Sequence, residues 1–422
     1  MSLPLQLDYS QSISELPECT NYEVTLTPST GATNYTSGGL VKFDFQQRGF
    51  IDPTSLVVRY KYAMTSLVGA AYIATPAYSS FQRLETLIGS QVVESINQYN
   101  QVAGFLYVNT QYDVAMKYGQ QASLGFVNNT TVPSFETLDG RLCAVNESGT
   151  FSMPLIGLLQ SSAKLIPAFA MPQISVQLTI DSIANIFCSG TGAVVPSVYT
   201  ISNIELCYNM LDFGRSVEHD ILAMPKLFLK CWSFSNSSAS IAANLSGSLS
   251  LVYNQKYASV KAAYIIAAGT TVNSLNKWGD FYDVTQSSGD YSIMIAGQTY
   301  PQRSLSTLNN KAYVGQELRR ASGNINDKNN NMSINTIEFN MSGDTASTYA
   351  VPAKFIVGIP LEKLHIPSDK AILTGVSTNN SNITVNINSS TATAAAYTVN
   401  LILNYDAIIE VDTQTRDARV RQ

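Results

Sequence analysis

The sequence predicts an all-β protein made of two tandem copies of one module, and three observations predict it. Apolar and polar residues alternate at period two along many short segments. Residues that favour half-buried strands are abundant, with 23 Tyr and 16 Phe beside many Thr, Val and Ile. Three short motifs recur in the same order in the two halves of the chain. The length, 422 residues, exceeds the size at which one hydrophobic core usually stops growing.

The alternation is clearest in Val41-Lys-Phe43-Asp-Phe45, in Leu56 to Tyr62 and in Ile174 to Ile180. Further strands are predicted at Tyr22 to Leu26, Leu84 to Val93, Thr200 to Met210, Leu227 to Phe234, Ser248 to Tyr253, Tyr291 to Ile295, Ala353 to Ile359, Asn382 to Ile387 and Tyr397 to Ile409. Turn clusters such as Ser37-Gly-Gly39 and Asp52-Pro53 separate several of them. One helix is predicted over Ile96 to Tyr118, because Val102, Phe105, Val108, Tyr112 and Met116 recur at spacings of three and four and Gly119 stands where a terminating glycine belongs. The polar run Ser322 to Ser333 is expected to form an exposed crown loop.

The duplication rests on three anchors. Phe151-Ser-Met-Pro154-Leu155 matches Val357-Gly-Ile-Pro360-Leu361 at an offset of 206 residues, and Ile174 to Leu178 matches Ile383 to Ile387 at 209. Tyr199 to Tyr208 matches Tyr397 to Tyr405 at 198 and then 197. The reading divides the chain into an arm at 1–15, modules at 16–212 and 226–412, a linker at 213–225 and a tail at 413–422. Tyr208 and Tyr405 should then sit at equivalent places on the last strands. The long insertions Ile96 to Ser148 and Gln298 to Met341 have no visible counterpart in the other copy.

Composition narrows the function. Charged residues make up 13% of the chain, about half the usual ~25%, so Asn, Ser, Thr, Gln and Tyr must cover the surface. A sparsely charged β surface invites self-association. The start, Met1 to Glu18, has no basic and then apolar run of a secretion signal, and Ser2 stands where myristoylation needs glycine. The longest apolar stretch, Ala262 to Ala268, is far short of the ~20 residues of a membrane span. Five widely spaced cysteines, at 19, 143, 188, 207 and 231, contain no CxxC pair and read as reduced core residues.

The chemistry of catalysis is missing. Two histidines, His219 and His365, cannot build a triad or a multi-histidine metal centre, and HExxH, GxSxG and Walker A patterns are absent. Gly190-Thr-Gly192 reads as a turn. Asp280 and Asp283 could pair as in a glycosidase only across a cleft, and loop carboxylates are the commoner outcome. The reading therefore assigns no catalytic, cofactor-binding or metal residues and no cofactor. The first 41 residues lack Lys and Arg but hold Asp8, Glu15, Glu18 and Glu23, which argues against a basic arm for packaging nucleic acid. Arg416, Arg419 and Arg421 near the C-terminus suit a protein contact better.

At this point the pattern resembles the double jelly-roll major capsid proteins of icosahedral DNA viruses. The resemblance is carried by Phe151 to Leu159 followed by Leu165 to Ile174, by Ile359-Pro-Leu-Glu-Lys-Leu-His-Ile-Pro367, and by Phe43 to Pro53 leading into Leu56 to Tyr62. It implies two tandem eight-stranded jelly rolls with one helical insertion in the first. It also implies homotrimeric, pseudo-hexagonal capsomers that tile a shell around the genome, touching neighbouring capsomers and minor capsid or penton proteins. Such a protein is not an enzyme, reads no nucleic-acid sequence, and resides in the virion after synthesis in the host cytoplasm. Met1 to Glu18 lacks the helical period of an anchoring helix. Three other readings remain open from sequence: a single jelly-roll coat with a protruding β domain, a β-sandwich adhesin or lectin, and a glycoside-active β enzyme.

Overall fold

The structure is a computed structural model that describes residues 18–65, 71–74, 76–109, 140–143, 146, 148–188, 195–269, 281–323, 334, 336–340, 353–363 and 373–422. In the first half eight strands of five residues or more build the roll: β1 (Thr20–Leu26), β2 (Leu40–Asp44), β3 (Val57–Thr65), β4 (Phe81–Ile88), β5 (Gln91–Asn97), β6 (Ser148–Pro154), β7 (Ile174–Ile180) and β8 (Val198–Asp212), with shorter strands of two to four residues between them. The second half supplies β9 (Lys226–Ile241), β10 (Gly247–Tyr253), β11 (Val260–Gly269), β12 (Gly289–Ile295), β13 (Gln298–Ser306), β14 (Val357–Pro360), β15 (Ile383–Ser389) and β16 (Tyr397–Asp412), and a last strand, β17 (Asp417–Arg421), follows.

Each roll is built on two sheets, and the first half adds a small third sheet of Ala71–Ala74, Gly140–Cys143 and Phe187–Cys188. The first half pairs in the orders β1-β8-β3-β6 and β2-β7-β4-β5, and the second in the orders β9-β16-β11-β14 and β10-β15-β12-β13. The second set is the first with eight added to every label. All of these pairs are antiparallel. Each half is a jelly roll, two sheets face to face with alternate side chains turned inward. Val41, Phe43, Leu84 and Leu178 fill the first core, and Ile293, Val385, Ile387 and Leu401 fill the second.

The registers make the duplication explicit. Pro154 lies opposite Val57, which lies opposite Cys207; Pro360 lies opposite Ala262, which lies opposite Asn404. The leucine after each proline repeats one backbone bond, Leu155 N to Leu56 O at 3.0 Å and Leu361 N to Lys261 O at 2.8 Å. Tyr208 and Tyr405, one residue beyond Cys207 and Asn404, therefore hold the same place. Both rings are buried against an aromatic neighbour, Phe45 at 5.1 Å and Tyr257 at 4.0 Å between centroids.

Other expectations change in detail. Leu84 to Val93 is a hairpin, turned at Gly89, whose φ of 64° suits a residue without a Cβ. The first-roll helix is α1 (Tyr99–Asn109), because Ile96 and Asn97 still belong to β5 and Gln98, at φ 49°, breaks the strand. Residues 110–118 lie outside the described residues, as do residues 324–333 of the expected crown. The linker folds as α2 (Gly214–Ala223), and a further helix, α3 (Ala312–Ala321), opens the long connection between β13 and β14. The second insertion thus starts after Ser306 rather than at Gln298, since Gln298–Ser306 is a roll strand. The two long connections are counterparts, β5 to β6 and β13 to β14, and each carries a helix near its start. The tail is held too: β17 pairs with β16 from Asp412↔Asp417 to Ile408↔Arg421.

Candidate functional site: the seam between the rolls

Of the residues with catalytic potential, His219 and Asp283 fall among the described residues. Among the described residues no group of three or more His, Cys, Asp or Glu could hold a metal ion. His219 is exposed on α2. His365, Asp280 and Gly190 to Gly192 lie outside the described residues. Asp283 is fully buried and accepts from Thr285 N at 3.0 Å, Thr285 Oγ1 at 2.7 Å, Ser287 N at 2.9 Å and Tyr291 Oη at 3.0 Å. Lys311 Nζ completes its shell at 3.0 Å. Burial pulls the lysine's pKa down and Asp283 opposes that shift. A carboxylate so saturated with donors fixes a turn, and Asp283 is a buried structural group rather than the solvated loop carboxylate expected from sequence.

The two rolls meet along a seam built by β5, α1 and the loop after β6 on one side, and by β9 on the other. The alternation of β5 turns Glu94 inward, where it is 3% exposed. Its carboxylate accepts from Thr86 Oγ1 at 2.6 Å, from Leu158 N at 2.7 Å and from the Ser233 hydroxyl of the second roll. Burial raises its pKa, and these three donors act against the rise. Ser161 then caps the edge of β9: Trp232 N donates to its Oγ at 2.8 Å, and Ala163 N donates to Lys230 O at 3.4 Å. Higher up, Asn236 Nδ2 donates to Gln98 Oε1 at 3.0 Å.

Apolar contact closes the rest. Phe105 of α1 meets Tyr264 of β11 at 4.7 Å and Phe234 of β9 at 6.5 Å between ring centroids. One apolar cluster consequently runs from the core of the first roll through Phe105 to Cys231, Tyr264, Ile402 and Ile409 of the second. The reading of α1 as an amphipathic helix captured Val102 and Phe105, both fully buried, but not Asn100 and Gln101, which are buried as well. Nothing in a single sequence marks a helix enclosed between two domains. Cys207 and Cys231 are buried, and burial pushes the Cys231 thiol up to about 12, so it is an inert core group.

Outward surfaces carry little charge. Across the second roll, Val252, Thr384, Met294 and Thr299 stand in one register row, with Ser250 and Asn386 in the next. Met224, Phe228 and Trp232 are exposed along the start of β9, and α2 beside them buries none of its residues. Aromatic and uncharged surfaces of this kind suit protein contacts. No helix among the described residues is long and apolar enough to cross a membrane.

Known structures share this arrangement of two rolls over the whole chain. VP54 of the virus PBCV-1 superposes with a TM-score of 0.66 at 12% identity, covering 98% of this chain and 99% of its own. The fold is that of the double jelly-roll major capsid proteins. The Faustovirus major capsid protein gives a TM-score of 0.62 at 10% identity, with 95% and 92% covered, and the mavirus major capsid protein gives 0.56 at 11%, with 100% and 95% covered. No protein-family model and no curated sequence matches the chain.

Proposed function

We propose that the chain is a viral major capsid protein whose copies close into pseudo-hexagonal homotrimers and tile an icosahedral shell around the genome. The observation that carries this reading is the end-to-end match of both rolls to the Faustovirus and mavirus major capsid proteins. The charge-poor outer faces support it, since shell formation needs contact surfaces. Neighbouring trimers and minor capsid or penton proteins are the proposed partners, and the virion is the proposed location. The division into an arm at 1–15, rolls at 16–212 and 226–412, a linker at 213–225 and a tail at 413–422 belongs to the same proposal.

Native mass measurement and electron microscopy test it. A trimer of 45.8 kDa chains has a mass of about 137 kDa, 3 × 45.8. Particles or capsomers of three-fold symmetry are expected. A monodisperse monomer at high protein concentration would overturn the proposal.

A further inference from the structure

Among the described residues, Lys311 and Asp283 form the one ion pair in which both partners are buried. Their side chains are 3% and 0% exposed, whereas every other pair has a partner at least 28% exposed. Asp283 precedes β12, and Lys311 follows β13 at the start of α3, so the pair joins the two ends of the β12–β13 hairpin. That hairpin lies at the margin of its sheet: among the described residues β13 pairs with β12 and with no other strand.

Two charges held out of water are costly even when paired. The Phe355 ring lies 4.5 Å from Nζ, and burial draws the lysine's pKa down toward the neutral amine. Nζ stands 3.0 Å from Oδ2, one bond away from the carboxyl carbon, so an amine is already placed beside an acyl group. The other oxygen, Oδ1, accepts from Thr285 N at 3.0 Å, Thr285 Oγ1 at 2.7 Å and Tyr291 Oη at 3.0 Å. Three fixed donors on one oxygen would stabilise negative charge developing there, as an oxyanion hole does. Ser287 N, 2.9 Å from Oδ2, and Asn340 O, 3.4 Å from Nζ, hold the two groups in place.

We propose that Lys311 and Asp283 condense to an isopeptide bond, Nζ to Cγ, that closes the β12–β13 hairpin covalently. A proton first passes from Nζ to Oδ2, leaving a neutral amine beside a neutral carboxyl. The Nζ lone pair attacks Cγ, and the displaced C=O electron pair rests on Oδ1 among its three donors. As that pair returns, the Cγ–Oδ2 bond breaks, and Oδ2 takes a second proton from Nζ and departs as water. Nζ keeps its third proton as the amide N–H. The step is redox-neutral, uses only the two side chains and removes both buried charges. Like a disulfide, the bond restricts the unfolded chain between residues 283 and 311.

Peptide mass mapping of the purified full chain tests this, and it reads each chain alike whatever assembly the chains form. Trypsin should yield a branched peptide, residues 278–303 joined to residues 304–319, lighter by one water than the two together. It should be uncut after Lys311, because trypsin does not cleave at an acylated lysine. Lys311→Arg keeps the cation but loses the amine, so it should give residues 278–303 as a linear peptide. Tyr291→Phe removes one donor to Oδ1 and should slow closure at least tenfold in chain sampled during cell-free synthesis. If either variant fails to fold, the wild-type map alone decides. Cleavage after Lys311 in the folded wild type, or a lost water that maps to other residues, would overturn the inference. Closure of Tyr291→Phe at the wild-type rate would overturn the role given to the Oδ1 donors.

Discussion

Glu94 of the first roll accepts the hydroxyl hydrogen of Ser233 of the second, so a buried carboxylate forms part of the joint between two domains. Thr86 and Leu158 supply its other donors. Three hydrogen bonds hold the ionised form in place, but burial still disfavours the charge and raises the pKa. Even Gly157 is shaped by it, because a Cβ there would stand 3.0 Å from Glu94 Oε2.

A pH dependence follows with a definite sign. A folded-state pKa above the ordinary 4.5 means that the folded protein binds this proton more tightly than the unfolded chain. The stabilisation is complete below pH 4.5 and is lost as pH rises through the raised value. Glu94→Gln stays neutral throughout, so the melting temperature of the wild type minus that of Glu94→Gln should fall with rising pH and then level off. Asp44, Glu410 and Asp412, whose pKa values are lowered, contribute in the opposite sense and cancel in the comparison. A difference that stays flat from pH 4 to 8 would contradict the assignment.

Phe105 is the apolar counterpart of that joint. Phe105→Ala removes a fully buried ring that touches Tyr264 and Phe234, and should cost about 3–5 kcal/mol. Denaturant unfolding measures it. A loss under about 1 kcal/mol would mean that the seam collapses around the gap or contributes little.

Lys311 tests the buried ion pair. Lys311→Met leaves the Asp283 carboxylate with hydrogen bonds but no cation, and should destabilise by about 3–5 kcal/mol. Adding Asp283→Asn removes the stranded charge, so the double variant should be more stable than Lys311→Met alone. Strictly additive losses in that cycle would show that the pair is not coupled.

What could be read from sequence depended on how each strand is covered. β7 and β15 alternate because one face meets the core and the other meets solvent, and both were legible. β11 was not, since Val260 to Ala268 is buried on both faces except at Lys261 and reads only as an apolar run. β13 was hidden for the opposite reason: it is an exposed edge with Pro301 and Arg303 and no apolar period. The Tyr208 and Tyr405 anchors survived because the last strand of each roll packs in the same register. The seam left no pattern, for Glu94 and Ser233 are 139 residues apart and neither residue type signals a partner.

Gly358 shows the duplication diverging at a single position. It stands two residues before Pro360 on β14, as Ser152 stands two before Pro154 on β6, so the two are equivalent. In the second roll α3 lies directly over this place: a Cβ on Gly358 would meet Leu318 Cα at 2.8 Å and Ala321 Cβ at 3.1 Å. Leu318 is fully buried there, and Tyr264 Oη ties the end of α3 down by donating to Ala321 O at 2.9 Å. Ser152 is only half-buried and carries a side chain without difficulty. Gly358→Ala should therefore force α3 away from the sheet and cost about 1–3 kcal/mol, whereas Ser152→Ala should stay within about 0.5 kcal/mol of the wild type. Thermal unfolding of the two variants decides it. Equal effects would mean that α3 is not held against β14.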